Sequence, residues 1–288
     1  MQHNKPSRSI LGLPAALVTA CAPLELSVRL QPCDLSLLEQ ERFKRVYVGS
    51  EFCENGLWQG NHLEGLLKNI MGRSIPFTLI TPFFSERGLE QFILSLEKII
   101  GLFCVQTNEI TCNDWGAILA IQERFPNAAV TINAGRLLSG QKTDPRPKIG
   151  GRVLTPQAKR HFRESNLEHH GVISLLGSLG INRIEIGNLS QGISTKTLEE
   201  AGIKISVHYP YLALSTSKNC LVRGTVDGDN LGFHCPRYCD QMATEMRHPS
   251  FSFPIIACGQ TRFISETGLE NLQQKGVDRL IWHPRPTI

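Results

Sequence analysis

Short runs of apolar and β-branched residues alternate along the chain with longer segments in which apolar residues recur at helical spacing. In one such segment, the apolar residues from Leu63 to Ile70 share a single face, as expected for a helix that packs on a core. The short runs have the length and composition of buried strands. The predicted strands are Leu26–Leu30, Arg45–Val48, Phe77–Ile80, Glu109–Cys112, Ala129–Ile132, Arg183–Ile186, Lys204–Val207, Ile255–Cys258 and Leu280–Trp282.

Further helices are predicted between these strands. An apolar stripe runs from Leu89 to Ile100, and Asn113-Asp114 is typical of an N-cap before a helix over Trp115–Arg124. Strand and helix alternate over about eight units, which favours a parallel sheet closed into a barrel over an open sheet. We therefore predict an α/β fold with a single (β/α) TIM-like barrel, regular or irregular, over residues 25–288.

The first residues, 1–24, are expected to form a leader or an N-terminal extension. Lys5 and Arg8 precede an apolar run that ends near Cys21, an arrangement similar to a bacterial lipoprotein signal. Pro14 interrupts the run, which is too short to cross a bilayer as a helix, and an apolar strand fits equally well.

Composition narrows the class of protein. Of the 288 residues, 41% are hydrophobic and 19% are charged, which excludes a disordered or fibrous chain. The net charge of +4 comes from scattered Lys and Arg residues, so charge alone does not indicate a nucleic-acid binder. The odd count of 9 cysteines argues against a secreted disulfide framework, and we expect a cytoplasmic protein with thiolate ligands.

Two segments interrupt the alternation of strands and helices. Residues 140–155 are rich in Pro and Gly and are predicted to form a long loop or lid, with the basic residues Lys142, Arg146, Lys148 and Arg152. Residues 215–246 directly follow the predicted strand Lys204–Val207 and carry several cysteines. Functional residues of barrels collect on loops after the strands, so we expect this cysteine-bearing loop at the C-terminal face.

The cysteines of the second segment form a C-x14-C-x3-C arrangement made by Cys220, Cys235 and Cys239. Cys53 follows an earlier predicted strand, and its thiolate would complete a four-coordinate soft site. Such a site suits an iron–sulfur cluster or zinc, although the spacing is not that of paired zinc knuckles, and buried unliganded thiols are the other interpretation. Cys104, Cys112 and Cys258 have apolar, strand-like surroundings and are predicted to be core residues, whereas Cys21 and Cys33 have no evident partner.

The stretch Val207–Cys220, VHYPYLALSTSKNC, followed by Cys235 and Cys239, resembles the cysteine-bearing loop of the collagenase-like peptidase family, peptidase family U-32. The segment VYVGSEFC, which ends at Cys53, is similar to the segment that carries the remaining cysteine in that family. The resemblance implies that Cys53, Cys220, Cys235 and Cys239 together ligate one [4Fe-4S] cluster.

The resemblance also implies a function. Members of the family take part in oxygen-independent hydroxylation of quinone precursors or of RNA bases, and the quinone pathway uses two related proteins together. We therefore expect an iron–sulfur protein that supports hydroxylation in ubiquinone biosynthesis, as a heterodimer with a related protein and with an aromatic or quinone-precursor substrate. The catalytic residues cannot be assigned from the sequence.

Three alternatives stay open. The first is hydroxylation of a tRNA or rRNA base, for which the basic residues of the lid would contact phosphate. The second is a cluster-bearing subunit whose partner supplies the active site. The third is a peptidase, which is disfavoured because no HExxH or GxSxG signature is present. The histidines His62, His169, His170, His208 and His234 carry little weight as ligands on their own.

Overall fold

The computed structural model describes residues 17, 24–39, 43–57, 62–103, 107–143, 155–218, 220, 235, 237–240, 242–249 and 251–287. Its strands are β1 Glu25–Arg29, β2 Arg45–Gly49, β3 Phe77–Thr81, β4 Glu109–Cys112, β5 Thr131–Ala134, β6 Arg183–Gly187, β7 Lys204–Tyr209, β8 Tyr211–Thr216, β9 Thr244–Met246, β10 Ile255–Cys258, β11 Thr261–Ser265 and β12 Val277–Trp282. The α-helices are α1 His62–Gly72, α2 Glu86–Ile99, α3 Trp115–Arg124, α4 Pro156–His161, α5 His170–Ser178 and α6 Lys196–Glu200. Short 3-10 helices span Pro32–Glu39, Glu54–Gly56, Ile100–Phe103, Asn166–Glu168, Tyr238–Asp240 and Glu270–Gln273.

A closed barrel of parallel strands forms the centre of the fold, in the order β1-β12-β7-β6-β5-β4-β3-β2. The predicted TIM-like barrel is therefore confirmed. Helices α1 to α6 lie in the connections between consecutive barrel strands from β2 to β7, which is the arrangement that a right-handed β-α-β chain produces.

The helices follow from local sequence signals. In α2, Ser85 is the N-cap and its hydroxyl accepts a hydrogen bond from the Gly88 N–H, while Phe92 and Leu96 are buried. The predicted N-cap of α3 is confirmed, because the Asp114 carboxylate accepts a hydrogen bond from the Gly116 N–H. The buried faces of these helices cover the outward-facing aliphatic side chains of the barrel strands and form the main core.

The interior of the barrel is polar, whereas branched aliphatic residues dominate most barrels of this class. Contacts run across the axis: Arg279 Nη1 on β12 donates to Glu109 Oε2 on β4 over 2.7 Å. Burial alone would raise the pKa of Glu109, but the hydrogen bond and charge of Arg279 outweigh it and hold that pKa at about 2. The other buried polar and charged residues of the barrel strands include Ser27, Arg29, Arg45, Thr78, Thr111, Asn133, Arg183, Glu185, Ser206 and His208.

A four-stranded antiparallel sheet, in the order β8-β11-β10-β9, stands between β7 and β12 where a regular barrel would have a helix. Residues Ile255–Cys258, expected among the alternating strands, belong to this sheet as β10. The predicted strand Ala129–Ile132 is found two residues later, at Thr131–Ala134, because Ala128 to Val130 form a turn. A second, smaller core joins the antiparallel sheet to the barrel and contains Phe52, Tyr211, Cys239, Cys258 and Phe263.

Within the described part of the chain, no helix is both long enough and apolar enough to cross a membrane.

Candidate functional site

The four cysteines singled out from the sequence come from separate segments that meet at the C-terminal end of the barrel. Cys53 follows β2, Cys220 follows β8, and Cys239 lies in a 3-10 turn that packs in the smaller core. Cys235 and Cys220 both contribute to raising the pKa of the Cys53 thiol, which requires that they lie close to it. We refer to Cys53, Cys220, Cys235 and Cys239 as the thiol site.

The thiol site is partly buried: Cys239 is buried, whereas Cys53, Cys220 and Cys235 are half-buried. Burial is the main cause that raises the pKa of Cys53, and backbone N–H groups of Asn55 and Gly56, which hydrogen-bond to its sulfur, act in the opposite direction. Burial also raises the pKa of Cys239, and the neighbouring Cys53 and Cys235 add to that rise. Burial thus favours the neutral thiol form of Cys53 and Cys239.

Cys258 on β10 is an additional thiol beside this site. It is buried, as the sequence predicts, yet its Sγ atom lies 3.5 Å from the carbonyl oxygen of Cys239. Burial, followed by the charge of Asp240 and the proximity of Cys220, raises the pKa of Cys258 to about 12. The apolar strand pattern around Cys258 gave no signal of this neighbourhood.

The segment that carries Cys53 is anchored by a buried ion pair between Glu51 and Arg136, which follows β5. Arg136 donates from Nε and Nη2 to the two carboxylate oxygens over 2.5 and 2.8 Å. Its Nη1 donates to the carbonyl oxygen of Tyr211 over 3.0 Å, and its guanidinium lies 5.0 Å from the centre of the Phe52 ring. One arginine therefore joins the end of β2 to the start of the antiparallel sheet.

Further contacts fix the backbone on either side of Cys53. The Ser50 hydroxyl donates to the carbonyl oxygen of Cys53 over 2.6 Å, and Gln260 Nε2 donates to the carbonyl oxygen of Phe52. Glu54 Oε2 accepts hydrogen bonds from both the N–H and the hydroxyl of Ser85, each at 2.9 Å. The cysteine is thereby linked to the antiparallel sheet and to the first residue before α2.

Gly49 ends β2 with a φ of 114°, a conformation that side chains with a Cβ atom rarely adopt. A Cβ atom at this position would collide with the carbonyl oxygen of Ile80 on β3. Glycine is therefore required where the chain leaves the barrel toward Cys53.

Two clefts open at this end of the barrel, one on each side of Phe52. The cleft beside Cys53 has a volume of about 210 Å³ and includes Phe83, which is 51% exposed, and Lys218. The Lys218 ammonium lies 4.5 Å from the centre of the Phe83 ring. The other cleft, of about 170 Å³, is lined by Arg136, Gln141 and residues of β8. An aromatic face and a cation at the first cleft suit a small aromatic anion.

The donor set of the thiol site fits an iron–sulfur cluster, because thiolates are the ligands of such clusters and an apolar shell limits solvent access. Among the described residues, no three His, Cys, Asp or Glu side chains are arranged to hold a metal ion directly. The four cysteines are of the right chemical type for a cluster, and their assignment as cluster ligands stays a prediction.

The remaining predicted residues divide into two groups. Cys112 is fully buried and burial raises its pKa to about 12, as expected for a core thiol, while His169 and His170 are exposed at the start of α5. The other group lies outside the described residues or side chains and comprises Cys21, Cys33, His62, Cys104, Arg146, Lys148, Arg152 and His234.

A series of hydrogen-bonded side chains lies inside the barrel and was not predicted from the sequence; it is formed by Thr111, Glu185, His208, His283 and Thr287. The ring of His208 lies between Glu185 and His283, at 2.9 and 2.8 Å from their nearest side-chain atoms. All five residues are buried. Alternation of polar and aliphatic residues within the strands was the available signal, but it does not identify which strands face each other.

No family model and no curated protein matches this sequence. Among solved structures, the U32 peptidase Mk0906 is similar over 91% of this chain and 93% of that chain, with 9% identity and a TM-score of 0.46. A chitinase from Chromobacterium violaceum ATCC 12472 is similar over 90% of this chain and 93% of that chain, with 8% identity and a TM-score of 0.39. Identities and TM-scores this low carry no argument about function.

Proposed function

We propose that this chain is an iron–sulfur protein whose thiol site, Cys53, Cys220, Cys235 and Cys239, binds one [4Fe-4S] cluster. The single observation that carries the proposal is the convergence of thiols from separate segments in one partly buried environment at the C-terminal end of the barrel. Four cysteine ligands would occupy every iron, so the cluster would supply electron transfer and would leave no open coordination position for a substrate.

We further propose that the protein supports an oxygen-independent hydroxylation in ubiquinone biosynthesis. The sequence around the thiol site resembles that of the ubiquinone-biosynthesis protein UbiV, and this resemblance is what points to the pathway. The cleft beside Cys53 supports it, since Phe83 offers a stacking face and Lys218 offers a cation for the acidic group of an aromatic precursor.

A complex with a related family protein belongs to the same proposal. Three helices on the outer wall present exposed leucines, Leu94 on α2, Leu119 on α3 and Leu175 on α5, which are 59%, 55% and 44% exposed. Exposed large apolar side chains on neighbouring helices are common at protein interfaces. They support a partner on this side of the barrel.

Cluster binding is tested by purification without oxygen, followed by measurement of iron and acid-labile sulfide. We expect about four iron and four sulfide per chain in the parent and a loss of most of both in the Cys220→Ala variant. Cys112→Ala, which removes a buried thiol that is not one of the four cysteines of the site, is the matched control and should retain the parent content. Equal iron in Cys220→Ala and the parent would refute the assignment, and stoichiometric zinc without sulfide would favour a structural zinc site.

The pathway is tested in a strain that lacks this protein and is grown without oxygen. We expect loss of ubiquinone with accumulation of an under-hydroxylated precursor, while modified RNA nucleosides match the parent strain. Unchanged quinones would refute the role in ubiquinone biosynthesis.

Hydroxylation of an RNA base is the second candidate, and one observation favours it. A cleft of about 460 Å³ on the outer wall is lined by the basic residues Lys159, Arg160, Arg163 and Lys196. This arrangement would suit backbone phosphates, and binding would then weaken steeply with salt. A missing modified nucleoside in the deletion strain, with normal quinones, would select this candidate.

A further inference from the structure

A continuous line of hydrogen bonds connects the middle of the barrel to its C-terminal end. Thr111 Oγ1 donates to Glu185 Oε1 over 2.7 Å, and Glu185 Oε2 lies 2.9 Å from His208 Nε2. His208 Nδ1 lies 2.8 Å from His283 Nε2, and His283 Nδ1 lies 2.9 Å from Thr287 Oγ1. Each imidazole therefore uses both of its nitrogens, one toward the interior and one toward the C-terminal end.

The two imidazoles are neutral. Burial lowers the pKa of His208 and of His283 well below the ordinary value, and the positive charges of Arg136 and Arg29 lower both further. A neutral imidazole has one nitrogen that donates and one that accepts. When a proton arrives at one nitrogen while a different proton leaves the other, the ring passes a proton on and stays neutral.

The carboxyl group at the inner end is the one that can change its protonation. Burial raises the pKa of Glu185 to about 7, even though the hydrogen bond from Thr111 and the charge of Arg279 act in the opposite direction. Nearby Glu109 stays ionised because its pKa is held at about 2, so it does not compete for the proton. Glu185 therefore exchanges a proton in the neutral range.

We propose that Glu185, His208 and His283 form a proton wire, which carries one proton between the barrel interior and Thr287 at the C-terminal end. When Glu185 is protonated, its carboxyl group donates a hydrogen bond to His208 Nε2. His208 Nδ1–H then donates to His283 Nε2, and His283 Nδ1–H donates to Thr287 Oγ1.

Release of the proton proceeds by shifts along the same bonds. The Thr287 hydroxyl gives its own proton to a water molecule at the C-terminal end and takes the proton from His283 Nδ1. At the same time, the proton on His208 Nδ1 moves to His283 Nε2, and the one on Glu185 moves to His208 Nε2. One proton has left, Glu185 is a carboxylate that accepts from His208, and both imidazoles have exchanged tautomers. Uptake is the reverse.

The wire ends at Thr287, next in the chain to Pro286, and it is closed at the inner end. Beyond Glu185 lies Tyr47, whose hydroxyl accepts from Arg279 Nη1 over 2.7 Å, and a guanidinium does not release protons in proteins. At the outer end, the carbonyl oxygen of Pro286 lies 3.8 Å from Cys258 Sγ, beside the thiol site. If the site carries a cluster, as proposed above, Glu185 takes up one proton through the wire for each electron that the cluster receives from a low-potential one-electron donor protein.

The groups that face the wire come from every side of the barrel end. Glu185 is surrounded by residues of β2, β4 and β12, and the two histidines by residues that follow β2 and β5 and by one on β1. These titratable and charged neighbours are Tyr47, Glu109, Arg279, Glu51, Arg136 and Arg29.

The wire is tested by NMR on the full chain, labelled with ¹⁵N and ¹³C, between pH 5.5 and 8.5. We expect one Glu carboxyl carbon to titrate near neutral pH and the ring nitrogens of His208 and His283 to exchange tautomers with the same midpoint. In Glu185→Gln, both tautomers should be fixed over this range, whereas the surface control Glu200→Gln should behave as the parent. A Glu185 carboxyl that titrates in the ordinary glutamate range, or tautomers that do not change in the parent, would overturn the proposal. The parent measurement decides even if Glu185→Gln does not fold.

Coupling to the thiol site is tested on chain purified without oxygen, by potentiometric titration with dithionite and mediators. In the parent, the midpoint potential should fall with pH between pH 6 and 8, by at most about 59 mV per unit for one proton and one electron. The slope should be absent in Glu185→Gln and retained in Glu200→Gln. A parent potential independent of pH refutes the coupling. A chain that binds no cluster refutes the proposed function and the coupling with it, while the NMR result still decides the wire.

Discussion

The buried pair of Glu51 and Arg136 allows a quantitative test of how the thiol site is held. In Glu51→Gln, the Arg136 guanidinium keeps its charge but loses its carboxylate, while both side chains remain almost completely shielded from water. The neutral amide supplies one acceptor oxygen in place of two, so only one of the two hydrogen bonds from Arg136 can be retained. Arg136 would then be a buried charge with no opposite charge to balance it.

Removing one partner of a buried ion pair destabilises a protein by about 3–5 kcal/mol. The amide retains one hydrogen bond, and Arg136 keeps its contacts with Tyr211 and Phe52. We therefore expect Glu51→Gln to lower the free energy of unfolding by about 3 kcal/mol, the lower end of this range. For a chain of this size, that corresponds to a fall in Tm of about 6–12 °C. The end of β2 loses its anchor, so the iron content should fall as well.

Urea unfolding followed by circular dichroism measures the stability, and iron analysis measures the site. Glu200→Gln, at an exposed position on α6, is the control and should overlay the parent. The double variant Glu51→Leu/Arg136→Met should recover most of the lost stability, because apolar residues can replace a buried ion pair without penalty. If Glu51→Gln loses less than about 1 kcal/mol, or the double variant is no more stable than the single one, this account of the anchor is wrong.

Three further predictions concern single positions. Gly49→Ala should lower the free energy of unfolding by about 1–3 kcal/mol, because the positive φ and the collision with the Ile80 carbonyl oxygen both oppose a Cβ atom, and a parent-like urea midpoint would contradict this. Cys258→Ala should keep the iron content of the parent while Cys239→Ala loses it, and loss in both would make Cys258 a ligand. Glu185 has a folded pKa of about 7, above its unfolded value, so its stabilising contribution is complete at pH 4 and is lost as the pH rises through 7. The stability of the parent relative to Glu185→Gln, measured by urea unfolding, should therefore fall by about 3 kcal/mol between pH 4 and pH 9, and a constant difference would show that this carboxyl does not titrate in the neutral range.

Much of the barrel could be predicted from the sequence because its strands and helices are locally encoded. Helix α3 begins where Asp114 supplies a cap, and α2 carries an apolar stripe whose Phe92 and Leu96 are buried. The outward faces of the strands are aliphatic because the helices cover them. Hydrophobic periodicity and helix capping depend on residues that are close together in the sequence, so a single sequence is enough to show them.

The antiparallel sheet could not be predicted in this way. Strand β8 follows β7 after Pro210 alone, ends in exposed residues, and pairs with β11, which is distant along the chain. Strand β9 consists of three exposed residues, Thr244–Met246, whose backbone pairing with β10 leaves no hydrophobic pattern. The antiparallel sheet places Cys258 beside Cys239, so this neighbourhood could not be predicted without the sheet.

The cysteines of the candidate site were named from the sequence, and their role as ligands stays a prediction. Cys239 belongs to the smaller core, and Cys53 packs against it. Glu51 and Arg136 were not identified, because their pairing depends on which strand ends meet when the barrel closes. The same holds for Glu185 and its histidine neighbours, since a charged residue inside a strand indicates a buried partner but does not name it.

The order of strands around the barrel has a consequence for how the protein matures. Strands β1 and β12 separate β2, which leads to Cys53, from β7, which leads to the cysteine loop. Cys53 and the cysteines of the loop therefore come together only after β12, the last described strand to be synthesised, has inserted and completed the ring. Loading of the thiol site would then follow translation of β12. A bound cluster would tie early and late segments together and resist reopening of the ring, because it closes a very long loop.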